Sequence, residues 1–175
     1  MLKEPTIKEA CAFKMIGMNF FGNPFVHANM WSEENGIGQL WSRFGKWLHS
    51  NFKVIENPEN TSVAYEVHIE SDQMETTGEY EVFTGIAVKN LDHIPIECVG
   101  KVFPKTQYAE FTLEGDEITS DWTQWIFEGW MPHSGYMSSA PYSIQVYDES
   151  FKGMDALDGV QIKVLIPIKK VGDDK

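Results

Sequence analysis

The sequence has little positive charge. Its 175 residues include 14 lysine and arginine residues against 26 aspartate and glutamate residues, so the formal net charge at pH 7 is −12. Phosphate backbones and anionic lipid surfaces repel such a chain. We therefore predict no direct binding of nucleic acid and no membrane binding. The acidity favours cationic small molecules or basic protein surfaces as partners.

Cysteine is also scarce, and long hydrophobic runs are missing. Cys11 and Cys98 lie far apart and no CxxC pair occurs, which argues against a disulfide framework or a zinc knuckle and favours a reducing, cytoplasmic setting. No stretch approaches the roughly 18 apolar residues of a membrane helix. The charged start of the chain, Met1–Pro5, is unlike a signal peptide.

Common enzyme motifs are missing as well. The sequence contains no GxSxG, Walker A, GxGxxG or HExxH pattern. Its five histidines show no spacing typical of a metal site. We therefore predict no cofactor and no metal, and the motifs identify no catalytic residue.

What is present is a patterned, 42% hydrophobic chain of a length that suits one domain, residues 1–175. Apolar spacings of three and four predict two helices, and alternation predicts the strands around them. The helices are predicted at 37–52 and 121–131. The strands are predicted at 7–20, 62–71, 80–88, 97–101, 107–113, 142–149 and 160–169.

The order strand, helix, strand, strand occurs twice, over about 5–90 and 95–170. Residues 64–71 and 143–150 share three of eight positions at a constant offset (145 − 66 = 79). This pattern predicts an α+β fold built from a duplicated unit, with a pseudo-twofold axis, an antiparallel sheet, two helices and a central cleft. Chance similarity is the alternative, because each match is short.

Two of the predicted strands carry polar residues on one face. Glu66 and His68 alternate with the apolar Tyr65, Val67 and Ile69, and the matching strand of the second repeat carries Gln145 and Tyr147. We expect the apolar face to pack under the helices. The four polar residues then either line one pocket across the axis or form a solvated face of the sheet.

Several short motifs resemble the GyrI-like effector-binding domain, the ligand-binding module of AraC-type and MerR-type regulators, which also occurs alone. The motifs follow the order found in that family and span nearly the whole chain. They are Ala64–His68, Gly78–Gly85, Phe103–Phe111, Trp130–Tyr136, Ile144–Tyr147 and Val164–Ile168.

This resemblance implies a bacterial protein concerned with multidrug binding or transcription regulation. It also implies a glutamate in the second-half strand that meets polar or cationic ligands, but this sequence has Gln145 there. A glutamate stands instead at the counterpart position of the first half. The resemblance therefore suggests that Glu66 takes over the role.

Aromatic residues are the further ligand-binding candidates. One member of each strand pair, Tyr80 or Phe83 and Tyr108 or Phe111, is expected to face the cleft. Phe20 and Trp31 are candidates for its lip.

The expected function is non-catalytic binding or sensing of a small amphipathic, lipophilic and cationic molecule, exerted through a protein partner or by sequestration. Two alternatives remain open. One is a hydrolase of cyclopropane-bearing or related small molecules that uses the cleft glutamate, and the other is a protein-interaction module.

Overall fold

The computed structural model describes residues 3–28, 32–153 and 155–173. Within these ranges the chain forms an antiparallel α+β fold, as predicted. The strands are β1 (Thr6–Gly22), β2 (Ala64–Ile69), β3 (Tyr80–Ala87), β4 (Val99–Glu114), β5 (Tyr136–Ser138), β6 (Tyr142–Tyr147) and β7 (Gln161–Lys170). The α-helices are α1 (Gly36–Asn51), α2 (Met74–Thr77) and α3 (Trp122–Gln124). Residues Trp125–Trp130 continue α3 as a π-helix, and Phe52–Val54, Gly115–Thr119 and Met131–His133 form 3₁₀ turns.

The sheet closes on itself. Its order is β4-β1-β3-β2-β6-β7-β5, and β4 also pairs with β7, so that six strands form a closed ring and β5 extends it. The first half contributes β1-β3-β2 and the second half contributes β4-β7-β6. In each half, the last of these three strands in the sequence therefore lies between the other two. The two halves meet where β2 pairs with β6 and where β1 pairs with β4.

The register of β2 and β6 locates the pseudo-twofold axis. Glu66 pairs with Gln145, and their separation equals the offset of the sequence repeat (145 − 66 = 79). In a twofold-related antiparallel pair, a residue faces its own counterpart only at the axis. The axis therefore passes between Glu66 and Gln145.

Helix α1 covers the outer face of the first half. Asn35 caps it by accepting a hydrogen bond from the Gly38 backbone at 2.9 Å, which satisfies one free amide of the first turn. The buried side of the helix packs against β1 and β3. The contacting residues are Ile37, Leu40 and Phe44 on the helix and Ile16, Met18, Val82 and Ile86 on the strands.

The apolar face of β2 is not under the helices, contrary to the sequence-based expectation. Tyr65 and Val67 point into the ring, where they pack with Met15, Phe83 and Tyr108. Because the ring buries this face against strands from the opposite side, the helices cover the other face. That outer face carries Glu66 and His68.

The second helical segment also differs from the regular helix predicted at 121–131. Asp121 caps it by accepting a hydrogen bond from the Gln124 backbone N–H at 3.1 Å. After one turn it widens into a π-helix, in which residues five apart come to one side. Trp125 and Trp130 consequently both pack edge-on against Phe111, with ring centroids 5.8 and 5.2 Å away.

The two strands predicted at 97–101 and 107–113 are one continuous strand, β4. Pro104, which lacks a backbone N–H, lies within it. It lies where the pairing with β1 shifts, between Phe13 opposite Phe103 and Cys11 opposite Thr106. A bulge there accommodates the proline without ending the strand.

Candidate ligand-binding cleft

A buried carboxylate lies at the pseudo-twofold axis on the outer face of the sheet. Glu66 is 4% exposed. Its Oε1 accepts hydrogen bonds from His68 Nε2 at 2.8 Å and from Gln145 Nε2 at 3.1 Å, and its Oε2 accepts one from Trp41 Nε1 at 2.5 Å. Three donors from α1, β2 and β6 therefore converge on one side chain.

The strand pattern accounts for the arrangement of these donors. Glu66 and His68 are two residues apart on β2 and share its outer face, as do Gln145 and Tyr147 on β6. The Tyr147 hydroxyl donates to Gln145 Oε1 at 2.9 Å. This bond fixes the amide so that its NH₂ group points at Glu66.

Two tyrosines near the carboxylate keep their protons. Burial, and to a lesser extent the Glu66 charge, raises the pKa of Tyr147 well above its usual value. The same two causes raise the pKa of Tyr80, whose ring lies 5.3 Å from that of His68. Both hydroxyls therefore remain hydrogen-bond donors over the physiological pH range.

The space around Glu66 consists of two chambers. The larger, of about 650 Å³, is lined by Trp41, Leu48, Ile86 and Phe151 among others. The smaller, of about 270 Å³, lies toward α3 and contains Trp122 and Phe127. Glu66 and Tyr147 line both chambers, so the carboxylate can be reached from either side. Trp41 and Tyr147 meet edge-to-face beside it, with centroids 5.4 Å apart.

The linings of the two chambers are acidic. Besides Glu66 they contain five carboxylates and one basic side chain other than histidine, Lys152. The five are Glu33, Asp148 and Glu149 in the larger chamber and Glu70 and Asp121 in the smaller. Clefts lined by one sign of charge concentrate counter-ions, so this cleft attracts cations.

The structure brings together five of the residues singled out from the sequence. They all line the smaller chamber: Glu66, His68, Tyr80, Gln145 and Tyr147.

Four other candidates do not line either chamber. Phe83 and Tyr108 lie inside the ring, and Phe111 lies under the π-helix. Phe20 packs at the margin of the α1 core. Trp31 lies outside the described residues.

The sequence reasoning missed Trp41, Trp122, Phe127 and Phe151 as lining residues. Trp41 and Trp122 fall on the apolar stripes of the predicted helices, and this spacing predicts core residues. Spacing shows which residues share a helix face but not where that face meets the sheet. One signal in the sequence bears on Trp41. If Glu66 is buried, its carboxylate needs hydrogen-bond donors, and a helix that lies over the sheet can supply one.

The described residues also bear on metal sites and membrane spans. In that part of the chain, no group of three or more His, Cys, Asp or Glu side chains is arranged to hold a metal ion. No helix in the same ranges combines the length and apolar character needed to cross a membrane.

Comparison with known proteins identifies the family. Residues 6–168 match the family model described as integron-associated effector binding protein. The chain belongs to this family. No curated protein matches the chain.

The family match confirms the resemblance to an effector-binding domain, and three solved structures share the fold. The structure of SAV2435 bound to tetraphenylphosphonium has a TM-score of 0.67 at 9% identity, covering 95% of this chain and 94% of that one. The C-terminal domain of EcmrR has a TM-score of 0.67 at 12% identity, covering 98% and 100%. An integron cassette protein of Vibrio cholerae has a TM-score of 0.59 at 16% identity, covering 96% and 97%.

Proposed function

We propose that the cleft binds a lipophilic organic cation and that Glu66 receives its charge. The observation that carries this proposal is the environment of Glu66. The carboxylate is nearly fully buried, and among the described residues its partners are the neutral Trp41 and Gln145 together with His68. It has no permanent cation beside it in that part of the chain.

Physical chemistry favours a cation over other ligands at this position. A buried charge without a permanent counter-charge is costly, and attraction between opposite charges grows as the local dielectric falls. A ligand cation near Glu66 would complete an ion pair that the protein leaves open. A neutral ligand would gain the apolar contacts alone.

The walls of the cleft suit an apolar cation. Trp41, Tyr147 and Tyr80 surround the carboxylate, and aromatic faces attract cations by roughly 0.5–2 kcal/mol each. The acidic side chains at the rims raise the local concentration of the ligand. The volume of the larger chamber, about 650 Å³, is in the range of drug-sized sites.

The comparisons support the same ligand class. The chain belongs to an effector-binding family, and one structure with this fold holds tetraphenylphosphonium, a lipophilic cation. We further propose that this chain passes on its binding state to a protein partner or acts by sequestering the ligand.

Calorimetric titration with tetraphenylphosphonium tests the role of Glu66. We expect Glu66→Gln to weaken binding by roughly 1.5–3 kcal/mol, the attraction between opposite unit charges roughly 6–11 Å apart at an effective dielectric constant of about 20. Glu70→Gln is the matched control, because it removes the same charge from an exposed residue of the smaller chamber, and it should cost less than about 1 kcal/mol. Equal losses in the two variants, or no loss in either, would refute the assignment of Glu66.

A further inference from the structure

A second cavity opens at one end of the ring, on the side of the sheet opposite to the cleft. Its volume is about 630 Å³. Its inner end consists of ring-core residues, among them Tyr65, Tyr108, Val146 and Leu165. Its outer wall is the first half of β1, from Thr6 to Phe13, which pairs with β4 but with no other described strand.

The floor of this cavity is aromatic. The Phe13 ring lies 5.9 Å from that of Tyr65 and 5.6 Å, edge-on, from that of Tyr108. Tyr108 is fixed in turn by a buried hydrogen bond between its hydroxyl and that of Tyr142 at 2.8 Å. Such a floor offers ordered ring surfaces for a flat apolar molecule.

The mouth of the cavity carries an unbalanced cluster of charges. Glu110, 16% exposed, has Lys163 Nζ at 3.4 Å and Lys8 Nζ at 3.9 Å. Two ammonium groups share one carboxylate, so the cluster retains one positive charge in a chain of net charge −12. Glu9 also lines the cavity as an exposed carboxylate, so the lining as a whole carries no net charge and the excess positive charge belongs to the Lys8–Glu110–Lys163 cluster alone.

We propose that this cavity is a second binding site, for flat apolar molecules that bear one carboxylate or sulfonate. The apolar part of the ligand lies on Phe13 and Tyr65, which the buried Tyr108 ring supports from beneath, and the anionic group meets Lys8 and Lys163. The charge preference is opposite to that of the cleft. The proposal does not depend on the function proposed for Glu66.

Titration with the fluorescent anion 1-anilinonaphthalene-8-sulfonate tests this site, with the uncharged N-phenyl-1-naphthylamine as the matched probe. We expect Lys163→Gln and Lys8→Gln each to weaken binding of the anion by about 2- to 5-fold at low salt, the range of partly exposed ion pairs. Glu9→Gln should strengthen it. Lys105→Gln, an exposed lysine outside the cavity lining, is the control and should change nothing. The uncharged probe should respond to none of the four variants.

Cys11 provides a second readout, because it lines this cavity and is exposed, whereas Cys98 is buried. Saturating anion should slow alkylation of Cys11 by iodoacetamide, and excess tetraphenylphosphonium should not reverse this protection. The proposal is overturned if the anion fails to bind saturably. The proposal is also overturned if the Lys8, Lys163 and Glu9 variants all bind the anion as wild type does. The same holds if Glu66→Gln or added tetraphenylphosphonium abolishes binding of the anion.

Discussion

At the pseudo-twofold axis, the side chains of Glu66 and Gln145 differ only in their terminal group. The Gln145 amide donates to the Glu66 carboxylate at 3.1 Å. A second carboxylate at that distance would repel the first, and one of the two would have to bind a proton. The amide therefore stabilises the buried carboxylate by a hydrogen bond where a second carboxylate would repel it.

The variant Gln145→Glu tests this account of the axis. Like-charge repulsion should raise the pKa of one carboxyl in the folded state above its unfolded value. The folded variant then binds more protons than the unfolded chain, so its stability falls as pH rises from the unfolded to the folded pKa. Compared with wild type, we expect a free energy of unfolding lower by about 1–3 kcal/mol at pH 7.5 and much less affected at pH 4. Urea unfolding at the two pH values measures this, and an equal change at both would contradict it.

The same variant should also change ligand preference. A dication can displace the proton held between the two carboxyl groups and pair with both, so the variant favours a dication over a monocation of similar shape. Calorimetry with a bis-ammonium compound and its mono-ammonium analogue measures the difference. Equal gains for the two compounds would argue against a shared charge at the axis.

The Trp41 indole N–H donates a hydrogen bond to Glu66 Oε2. Trp41→Phe keeps an aromatic wall but removes the N–H donor, so a cation no longer has to compete with it. We expect the variant to bind tetraphenylphosphonium about 3- to 10-fold more tightly and to lose about 1 kcal/mol of stability.

Trp47→Phe is the matched control for Trp41→Phe. Trp47 stacks on Phe44 in the α1 core and does not line either chamber. The Trp47→Phe variant should therefore bind the cation with unchanged affinity. Weaker binding by Trp41→Phe would show that the indole holds the ligand rather than competing with it.

The polar residues of the cleft could be predicted from the sequence, whereas its aromatic wall could not. Strand alternation placed Glu66 and His68 on one face, and the 79-residue offset paired them with Gln145 and Tyr147. The choice between Tyr80 and Phe83 required the strand register and the closure of the ring. Trp41 required the position of α1 over the sheet, which is a tertiary property.

At the level of elements, the sequence predicted the helices and most strands but not their irregularities. The π-helix at Trp125–Trp130 depends on Phe111, a partner on a distant strand. Likewise, the continuity of β4 through Pro104 depends on the bulge in its pairing with β1. Local propensity carries no information on such partners.

Gly45 lies in the middle of α1, and a Cβ added there meets no atom within 4 Å. Gly45→Ala should therefore raise the free energy of unfolding by about 0.5–1 kcal/mol, because alanine favours the helix more than glycine does. Affinity for the cation should not change. Urea unfolding measures the stability, and a loss of stability would show that α1 is not a regular helix at this point.

Gly17 offers the opposite case within β1. A Cβ there would lie 1.9 Å from the Thr84 backbone oxygen, so β1 and β3 would have to move apart. Gly17→Ala should destabilise the fold by more than about 2 kcal/mol. A stability equal to wild type in the same unfolding experiment would contradict the close approach of these strands.

For the whole molecule, the closed ring explains why the polar residues of β2 and β6 lie on the face of the sheet that the helices cover. The apolar faces of β2 and β6 are buried inside the ring, so Glu66 and Gln145 remain on the outside, between the helical segments of the two halves. Sequence alternation separated the two faces of β2. It could not show which face the helices cover, because that follows from the β4–β7 pairing.

The net charge of −12 leads to a prediction for the chain as a whole. We expect no sequence-specific binding of duplex DNA at physiological salt, because repulsion by the phosphate backbone opposes it. An electrophoretic mobility shift assay with random and palindromic duplexes measures this. Tight, sequence-dependent binding by the 175-residue chain would refute it.

The central claim is that the charge of Glu66 selects the ligand, and two ions of nearly the same shape and opposite charge test it most directly. Calorimetry should compare tetraphenylphosphonium with tetraphenylborate on wild type and on Glu66→Gln. We predict that wild type prefers the cation by at least about 100-fold, equivalent to about 2.7 kcal/mol, and that Glu66→Gln reduces this preference to below about tenfold. An undiminished preference in Glu66→Gln, or equal affinity of wild type for the two ions, would contradict the claim.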